Sequence, residues 1–222
     1  MAKIIPIGKP ENLGESRTFQ YLETKLPDTT LVLTNVAVPD SRGNRDVDAL
    51  LFSNTGVHVI EIKDWVGTLS GREVGDWKQD EATVKNPCFQ TNQTREIFRN
   101  FVMRNSKKIF DDARSSYGVP FEALLVLVHD TANTDAVKIQ GLEHFHVCKK
   151  LDDLASTIAR QRARTRQFLM TAEIRKIAEL LGARKSDLDA WEQMLAQKSC
   201  SKCSHENRPS AKFCLHCGAK FS

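Results

Sequence analysis

Two acidic residues and a lysine on neighbouring predicted strands are the residues of this sequence best suited to chemistry. Asp48 belongs to a strand predicted over 46–52, and Glu61 and Lys63 belong to a strand predicted over 57–64. Because side chains alternate across a strand, Glu61 and Lys63 share one face. A two-residue turn between the strands sets Asp48 opposite Glu61, whereas a three-residue loop without a bulge breaks this pairing.

Such a group favours a divalent cation and an attack on phosphate. Two close carboxylates repel each other unless a cation lies between them, and their hard oxygens suit Mg²⁺ or Mn²⁺. The cation lowers the pKa of a water that attacks phosphorus, while Lys63 offsets negative charge. The simpler alternative is a surface ion pair, since 27% of the residues are charged. The apolar residues around Glu61, which are Val59, Ile60 and Ile62, imply a buried strand and favour the metal site, because buried charges need partners.

A second metal site is predicted at the end of the chain, where four of the six cysteines fall within the last 23 residues. They form two Cys-x-x-Cys pairs: Cys200 and Cys203, then Cys214 and Cys217. Two such pairs supply the closed sulfur shell of a structural Zn²⁺, whose binding contributes folding energy on the order of 10 kcal/mol. His205 and His216 are competing ligands, but the four sulfurs already fill the shell. Disulfides are not expected without an export signal, and a thioredoxin-type site needs one pair in a βαβ unit.

Helices mixed with strands must hold these residues in place. The most apolar strand is predicted over 121–129, and we expect it in the middle of a sheet. The other expected elements are a helix over 11–26, a strand over 31–38, one or two short strands within 67–85, a helix from 89 past 110, an edge strand over 145–148, and helices over 151–198 with breaks near 171 and 182. This pattern predicts an α/β or α+β sandwich over residues 1–198, followed by a zinc-binding segment over 199–222.

Composition and charge restrict the partners only weakly. The net charge is +4, and residues 200–222 hold four basic side chains and one acidic one. A basic tail fits contact with a polyanion such as nucleic acid, although a solvated surface explains the charge equally well. The first residues lack the pattern of a signal peptide, and the longest apolar run, over 124–128, is far too short for a membrane span. We therefore expect a soluble, cytoplasmic protein without a membrane partner.

The order of the motifs resembles the NERD (nuclease-related) domain. The matching motifs are Gly14-Glu15, Asp46-Val47-Asp48, Ile60-Glu61-Ile62-Lys63-Asp64-Trp65-Val66-Gly67, Trp77, and Asn86-Pro87-x-x-Gln90. NERD domains are placed in the PD-(D/E)XK nuclease superfamily. The resemblance therefore implies a restriction-endonuclease-like fold, with a mixed sheet flanked by helices, and metal-dependent hydrolysis of phosphodiester bonds. The cysteine-rich tail is similar to the short zinc ribbons at the ends of many prokaryotic proteins.

The resemblance also implies roles for individual residues. Asp48 and Glu61 match the metal-binding acids, and Lys63 matches the catalytic lysine. Glu15 matches a helix acid that completes the metal shell or holds a water, and Gln90 matches a glutamine beside the active site. The simpler alternatives are that Glu15 only favours the positive end of its helix and that Gln90 bonds locally.

Three hypotheses about function follow. The leading one is a nuclease that uses Mg²⁺ or Mn²⁺ to cleave nucleic acid, with DNA favoured as substrate, and that carries a structural Zn²⁺ in a basic tail. The second is a non-catalytic module, in which a nuclease-like scaffold binds nucleic acid or a protein. In the third, the zinc ribbon serves as a docking device for a protein partner.

Overall fold

The structure, a computed structural model, describes residues 1–53, 56–110, 119–139, 143–162, 169–196, 198–207 and 211–221. The helices of these residues are α1 (Leu13–Lys25), α2 (Pro87–Arg104), α3 (Ser106–Ile109), α4 (Asp153–Arg162), α5 (Thr171–Leu180) and α6 (Lys185–Leu195). The strands are β1 (Lys3–Pro6), β2 (Leu31–Asp40), β3 (Gly43–Ser53), β4 (Gly56–Lys63), β5 (Thr68–Gly71), β6 (Trp77–Gln79), β7 (Ala82–Val84), β8 (Phe121–Leu127), β9 (Asn133–Val137), β10 (Phe145–Cys148), β11 (Lys198–Ser199) and β12 (Glu206–Asn207).

A six-stranded mixed sheet in the order β1-β2-β3-β4-β8-β10 forms the centre of the protein. β2, β3 and β4 pair antiparallel, whereas β1, β8 and β10 join through parallel pairings. The apolar strand β8 lies inside the sheet, as predicted, and β10 lies at its edge. Helices cover both faces, so the predicted α/β class with a mixed sheet flanked by helices is confirmed.

Two apolar cores lie on the two faces of this sheet. One is closed by α2, α5 and α6, and its fully buried side chains include Phe98 and Trp191. The other is closed by α1 and α4, which contribute Leu22 and Ile158. β4 contributes to both cores, because alternate side chains of a strand face opposite directions. Its two valines, Val57 and Val59, pack in the first core, and its two isoleucines, Ile60 and Ile62, pack in the second.

The two helices that carry predicted site residues each begin at a capped first turn. The Asn12 side chain accepts a hydrogen bond from the backbone N–H of Glu15 at the start of α1. The Asn86 side chain accepts from the N–H groups of Cys88 and Phe89 at the start of α2, where Pro87 occupies the first turn. Capping of this kind satisfies backbone donors that the helix leaves free, and it fixes where each helix begins.

A smaller sheet, in the order β7-β6-β5-β9, packs over a third apolar cluster. Trp77 on β6 is fully buried in this cluster, and its indole N–H donates to the carbonyl of Arg72 at 2.8 Å. Gly71 packs against the indole so closely that a Cβ there would lie 2.4 Å from the ring. The short strands expected within 67–85 are thus present as β5, β6 and β7.

Several element bounds differ from the expected ones. The helix expected from 89 past 110 ends at Arg104, because Asn105 leaves helical geometry and its side chain donates back to the carbonyl of Phe101 at 2.9 Å. β1 and β9 have no counterpart among the expected elements, since both are short and neither alternates cleanly. The break near 182 occurs at Gly182, whose φ is +93°, while residues 163–168 lie outside the described part of the chain.

Across the described ranges, no helix combines the length and the apolar character needed to cross a membrane. The expected cytoplasmic location stays a prediction.

Candidate active site and metal centre

The candidate active site lies where β3 and β4 separate. Their antiparallel pairing begins at Ser53 and Gly56, which leaves two residues for the turn, and it ends at Ala49 and Ile60. One step further in this register, Asp48 stands beside Glu61, as expected for a two-residue turn. There the backbone ladder stops, and Oδ2 of Asp48 instead accepts the N–H of Ile62 at 2.7 Å. The carboxylate of Asp48 thus fills the space between the two diverging strands.

Glu61, Lys63 and Gln90 form one hydrogen-bonded group. Nζ of Lys63 lies 2.5 Å from Oε1 of Glu61, so the two side chains share a face as predicted. Nε2 of Gln90, in the first turns of α2, donates to the same oxygen at 2.7 Å. Glu61 exposes only 4% of its surface. Burial at this level requires the carboxylate to be paired, and both neighbours contribute to that pairing.

Glu15 lies at the start of α1 and has several hydrogen-bond partners. Oε1 accepts from Nδ2 of Asn12 at 2.7 Å, and Oε2 accepts from Nδ2 of Asn35 at 2.7 Å and from the N–H of Glu11 at 3.0 Å. The two residues bond reciprocally at the helix start, because Nδ2 of Asn12 donates to the Glu15 carboxylate while the N–H of Glu15 donates to Oδ1 of Asn12. Glu15 therefore has a clear role in capping, and its predicted role at the metal stays a prediction.

Asn35 is a site residue that the sequence interpretation missed. It lies in the middle of β2, between Thr34 and Val36, which pair with Ala49 and Val47, so it stands level with Asp48. Its backbone adopts φ +52°, a left-handed conformation that Asn tolerates better than most residues. The sequence feature that could have pointed to Asn35 is a polar Asn within an apolar strand, since Asn is depleted in strands.

The face that the strands present to the core changes at this point. Leu31 and Leu33 precede Asn35 in one core, and Val36 and Val38 follow it in the same core. A strict alternation would place the second pair on the opposite face. β3 shows the same change at Asp48, because Val47 packs with Leu50 and Phe52. The strict alternation of β3 therefore breaks at Asp48, as that of β2 does at Asn35.

Among the described residues of the site, the acidic groups outnumber the basic ones. Asp48 lies near enough to Glu61, Glu15 and Lys63 to interact with the charges of all three. Burial and the charges of Glu61 and Glu15 outweigh the opposing effects of the Ile62 N–H and Lys63, and together they raise the pKa of Asp48 to about 7. The site thus favours an added positive charge on electrostatic grounds.

Two carboxylate oxygens are available to such a charge. Among the described residues, no hydrogen bond reaches Oδ1 of Asp48 or Oε2 of Glu61, while the other oxygen of each group is engaged. Hard oxygen donors of this kind fit Mg²⁺ or Mn²⁺, which keep part of their water shell. Within the described ranges, the four cysteines are the only set of three or more potential ligands lying within 4.8 Å of one another. Glu15 therefore does not form a tight three-acid cluster with Asp48 and Glu61.

The four predicted zinc ligands converge in the C-terminal segment. Cys200 and Cys217 have sulfur atoms 3.6 Å apart, as do Cys203 and Cys214. Zinc–sulfur bonds of about 2.3 Å in a tetrahedron place the sulfurs about 3.8 Å apart, so the observed spacing fits Zn²⁺. The rings of His205 and His216 stack on each other with centroids 5.3 Å apart.

Backbone and side-chain donors surround these sulfurs. Burial disfavours the thiolate of Cys214, but the N–H groups of Cys217 and His216 and the Asn207 amide lower its pKa to about 6. Nδ2 of Asn207 lies 3.6 Å from the Cys214 sulfur, and its Oδ1 accepts the N–H of Leu215 at 2.8 Å. Asn207 is thus a second residue that the sequence interpretation missed. It orients the second Cys-x-x-Cys pair.

Comparison with known proteins gives two family matches. The model of the nuclease-related domain (NERD) matches residues 10–128, and the model of the zinc-ribbon domain matches residues 199–221. Both matches fall on the segments for which the sequence predicted them. A search of curated proteins finds no match.

One solved structure is also similar, the small subunit (R.BspD6I2) of the heterodimeric restriction endonuclease R.BspD6I. It is 11% identical, with 83% of this chain and 88% of that chain covered, and the TM-score is 0.30.

Proposed function

Because the chain belongs to the nuclease-related domain family, we propose that it is a nuclease that hydrolyses phosphodiester bonds of DNA with the help of Mg²⁺ or Mn²⁺. One observation carries this proposal. Where β3 and β4 separate, Asp48 and Glu61 each keep a carboxylate oxygen that no described group engages, beside the ammonium of Lys63. The two acids fit a hard divalent cation, and the lysine fits a phosphate oxygen.

Asp48 and Glu61 are the proposed ligands. A divalent cation bound there supplies positive charge to the phosphoryl oxygens and lowers the pKa of the attacking water. Gln90 and Lys63 both bind Oε1 of Glu61. They thereby fix the orientation of this carboxylate and leave Oε2 for the cation. Asp48 is oriented in the same way by the N–H of Ile62.

Lys63 has a second role in the proposed reaction. Its side chain is 19% exposed, so the ammonium is reachable from solvent while it bonds Glu61. Negative charge accumulates on the phosphoryl group as water attacks phosphorus and the P–O bond to the leaving strand breaks. A fixed ammonium at this place stabilises that charge more than it stabilises the ground state.

The zinc ribbon contributes stability and a contact surface in this proposal. Four protein sulfurs leave no open position on Zn²⁺, so the zinc is structural. Lys202, Lys212 and Lys220 lie on the ribbon, and we place their charges against the phosphates of the nucleic acid. The boundary between the nuclease-like domain, 1–198, and the ribbon, 199–222, stays a prediction. Lys198 pairs with Asn207, so the ribbon sheet begins there.

The deciding experiment is cleavage of DNA with added Mg²⁺ or Mn²⁺ by the full chain and by two variants, Glu61→Ala and Lys63→Ala. Both substitutions are expected to abolish cleavage. Glu23→Ala and Lys25→Ala are matched controls, because they remove an exposed acid and lysine with the same spacing from the end of α1. Equal cleavage by the Glu61→Ala and Lys63→Ala variants would assign the activity to a contaminant and refute the proposal.

The same variants test the non-catalytic alternative. A scaffold that only binds nucleic acid or protein would show binding without turnover, and its affinity would be unchanged in Glu61→Ala and Lys63→Ala. The role of the ribbon is tested in the full chain by replacing Lys202, Lys212 and Lys220 with alanine. Unchanged DNA affinity in that variant would favour a protein-docking role for the ribbon.

A further inference from the structure

A groove formed by two adjoining cavities lies along the first half of α2. Its larger part is a cavity of about 710 Å³ between the start of α2 and the loop over 73–76. A second cavity of about 280 Å³ continues it beside the β2–β3 turn, and Arg45 and Gln93 line both. Gln90 lines the larger cavity and bonds Glu61 at 2.7 Å. The groove therefore ends one side chain away from the proposed metal ligands.

An aromatic ring stands at this groove. Phe89 lies in the first turn of α2 and exposes 68% of its surface, although the other phenylalanines of the helix, Phe98 and Phe101, are buried. A single exposed apolar side chain is common on protein surfaces. The position of Phe89 is unusual, because it lines a cavity that also holds Arg45, Lys85 and Gln90.

The wall of the groove is held rigidly. Nδ2 of Asn86 donates to the carbonyls of Arg72, Glu73 and Gly75, while its Oδ1 caps α2. This one side chain ties the loop to the start of the helix. Nε of Arg45 donates to Thr94 at 3.1 Å, which holds the arginine against α2 on the other side. The ring at the start of α2 is thus presented by a preorganised frame, which reduces the entropic cost of binding.

The charges and the size indicate an unpaired strand. Lys85 and Arg45 suit phosphates, whereas Asp76 in the same cavity suits the amino groups of bases. A duplex presents mainly its phosphates to a narrow groove, and the mixed charges suit that surface poorly. A cavity of small-ligand size takes about one or two unpaired nucleotides. Exposed aromatic rings stack on bases of any sequence.

We propose that this groove is a binding site for unpaired nucleotides of the substrate, with a base stacked on Phe89 and phosphates contacting Arg45 and Lys85. The inference rests on the proposed nuclease function, and it narrows the substrate to single-stranded DNA or to a strand that is locally unpaired. It also sets a path for the strand, from Arg45 past Phe89 and Gln90 to Glu61.

The test is binding of a fluorescein-labelled oligo(dT) strand to the full chain, measured by anisotropy without added Mg²⁺ or Mn²⁺ and at one salt concentration. Phe89→Ala and Phe89→Leu are expected to weaken binding roughly 5- to 150-fold, the loss of one stacked base. Phe89→Trp keeps an aromatic face and should bind as the unchanged chain does. An abasic strand of the same length should bind equally to all four proteins, since it has no base to stack.

A second readout concerns the phosphates. Lys85→Ala should lower the slope of log affinity against log salt by about 0.7, the value for one contact to a single strand. Phe89→Ala should leave this slope unchanged. Unaltered oligo(dT) affinity in Phe89→Ala, or an equal loss for the abasic strand, would overturn the proposal.

These outcomes can be told apart from failure of the proposed function. If Phe89→Ala loses oligo(dT) binding and the unchanged chain cleaves nothing with Mg²⁺ or Mn²⁺, the binding groove is supported and the nuclease function is refuted. If the unchanged chain cleaves DNA and Phe89→Ala binds oligo(dT) as before, the nuclease function is supported and the binding groove is refuted.

A separate observation concerns Asn35. Its Nδ2 is engaged with Glu15, and its Oδ1 is buried and bonded to no described group. A buried amide oxygen without a partner costs about 1–3 kcal/mol. The residue also keeps a left-handed backbone in the middle of a strand. A fold retains such features mainly at functional sites.

We infer that Asn35 is a positioning residue for the proposed cation site, through the orientation of Glu15. Asn35→Gly removes the amide and still permits the left-handed backbone. It is expected to weaken Mn²⁺ binding about 10- to 100-fold, as measured by electron paramagnetic resonance of free Mn²⁺. The inference depends on the proposed metal site, so Glu61→Ala is measured alongside and should lose Mn²⁺ binding.

A structural role alone would give a different result. The unfolding midpoint of Asn35→Gly in urea, without added cation, should not fall, because the loss of the bond to Glu15 is offset by the removal of the unpaired oxygen. Adding Glu15→Ala to Asn35→Gly should weaken Mn²⁺ binding no further than Glu15→Ala does, because both act through one carboxylate. Unchanged Mn²⁺ affinity in Asn35→Gly, or additive losses in the double variant, would contradict the inference.

Discussion

Replacing Asp48 with asparagine is expected to stabilise the cation-free protein. The introduced amide keeps an oxygen that can accept the N–H of Ile62, but it carries no charge beside Glu61. The folded-state pKa of Asp48 is about 7, against an ordinary value of 3.8. A raised acid pKa means that the folded chain holds the proton more tightly than the unfolded chain. The free energy of unfolding therefore falls as the pH rises from 3.8 through 7 and Asp48 loses its proton.

The size of the effect follows from the shift. Three pKa units correspond to about 4 kcal/mol above pH 7, which is an upper limit for a half-buried group that shares its site with Glu61. Allowing for solvent screening, we expect about 2 kcal/mol. For a chain of this length, that corresponds to a rise of about 4–8 °C in the unfolding midpoint.

The assay is thermal unfolding followed by circular dichroism, after dialysis that removes weakly bound Mg²⁺ and Mn²⁺ but leaves the zinc in place. The advantage of Asp48→Asn over the unchanged chain should be larger at about pH 8 than at about pH 5. Saturating Mn²⁺ should raise the midpoint of the unchanged chain and leave that of Asp48→Asn unaltered. An Asp48→Asn variant that is less stable at about pH 8, or an advantage that does not depend on pH, would refute the reasoning.

Three further substitutions test contacts elsewhere in the structure. Gly14→Ala should destabilise the fold by about 1–3 kcal/mol in urea, because a Cβ at Gly14 would lie 2.6 Å from the Cβ of Asp64; an unchanged midpoint would contradict this close approach. Asn207→Ala should weaken zinc binding about 10- to 100-fold in competition with a chromogenic chelator, since it removes the donor to Cys214; equal zinc affinity would show that the amide only packs. Arg175→Ala should cost about 1–2 kcal/mol, because Arg175 contacts three carboxylates of α5 and α6. This loss should shrink in high salt, and a loss independent of salt would point to packing instead.

Much of the fold could be predicted because its signals are local. The apolar run of β8 and the turn residues of the β3–β4 hairpin each depend on a few neighbouring residues. The pairing of Asp48 with Glu61 followed from alternation and a two-residue turn, both of which are properties of the hairpin itself. The zinc site could be predicted for the same reason, because the spacing of the four cysteines is a local property of the sequence.

The parts that escaped prediction depend on distant contacts. β1 is a strand only because it pairs with β2, and it ends in Pro6, which donates no backbone hydrogen bond. β9 has a polar composition and is held by parallel pairing with β5. The change of face occurs at Asn35 in β2 and at Asp48 in the neighbouring β3, so the irregularity of one strand matches that of the other. No pattern within a single strand indicates such a paired irregularity.

The features that make the cation-free site unstable are also those that fit it to a cation. The pKa of Asp48 is raised, the charges of Asp48 and Glu61 repel each other, and Oδ1 of Asn35 is buried with no partner among the described groups. Each feature costs stability in the metal-free chain, and a bound divalent cation would relieve at least the first two. Stability and cation affinity are therefore opposed at this point of the sheet. A substitution that removes the charge of Asp48 should therefore raise the stability of the metal-free chain and lower its affinity for the cation. An ion pair with only a structural role would not show both effects.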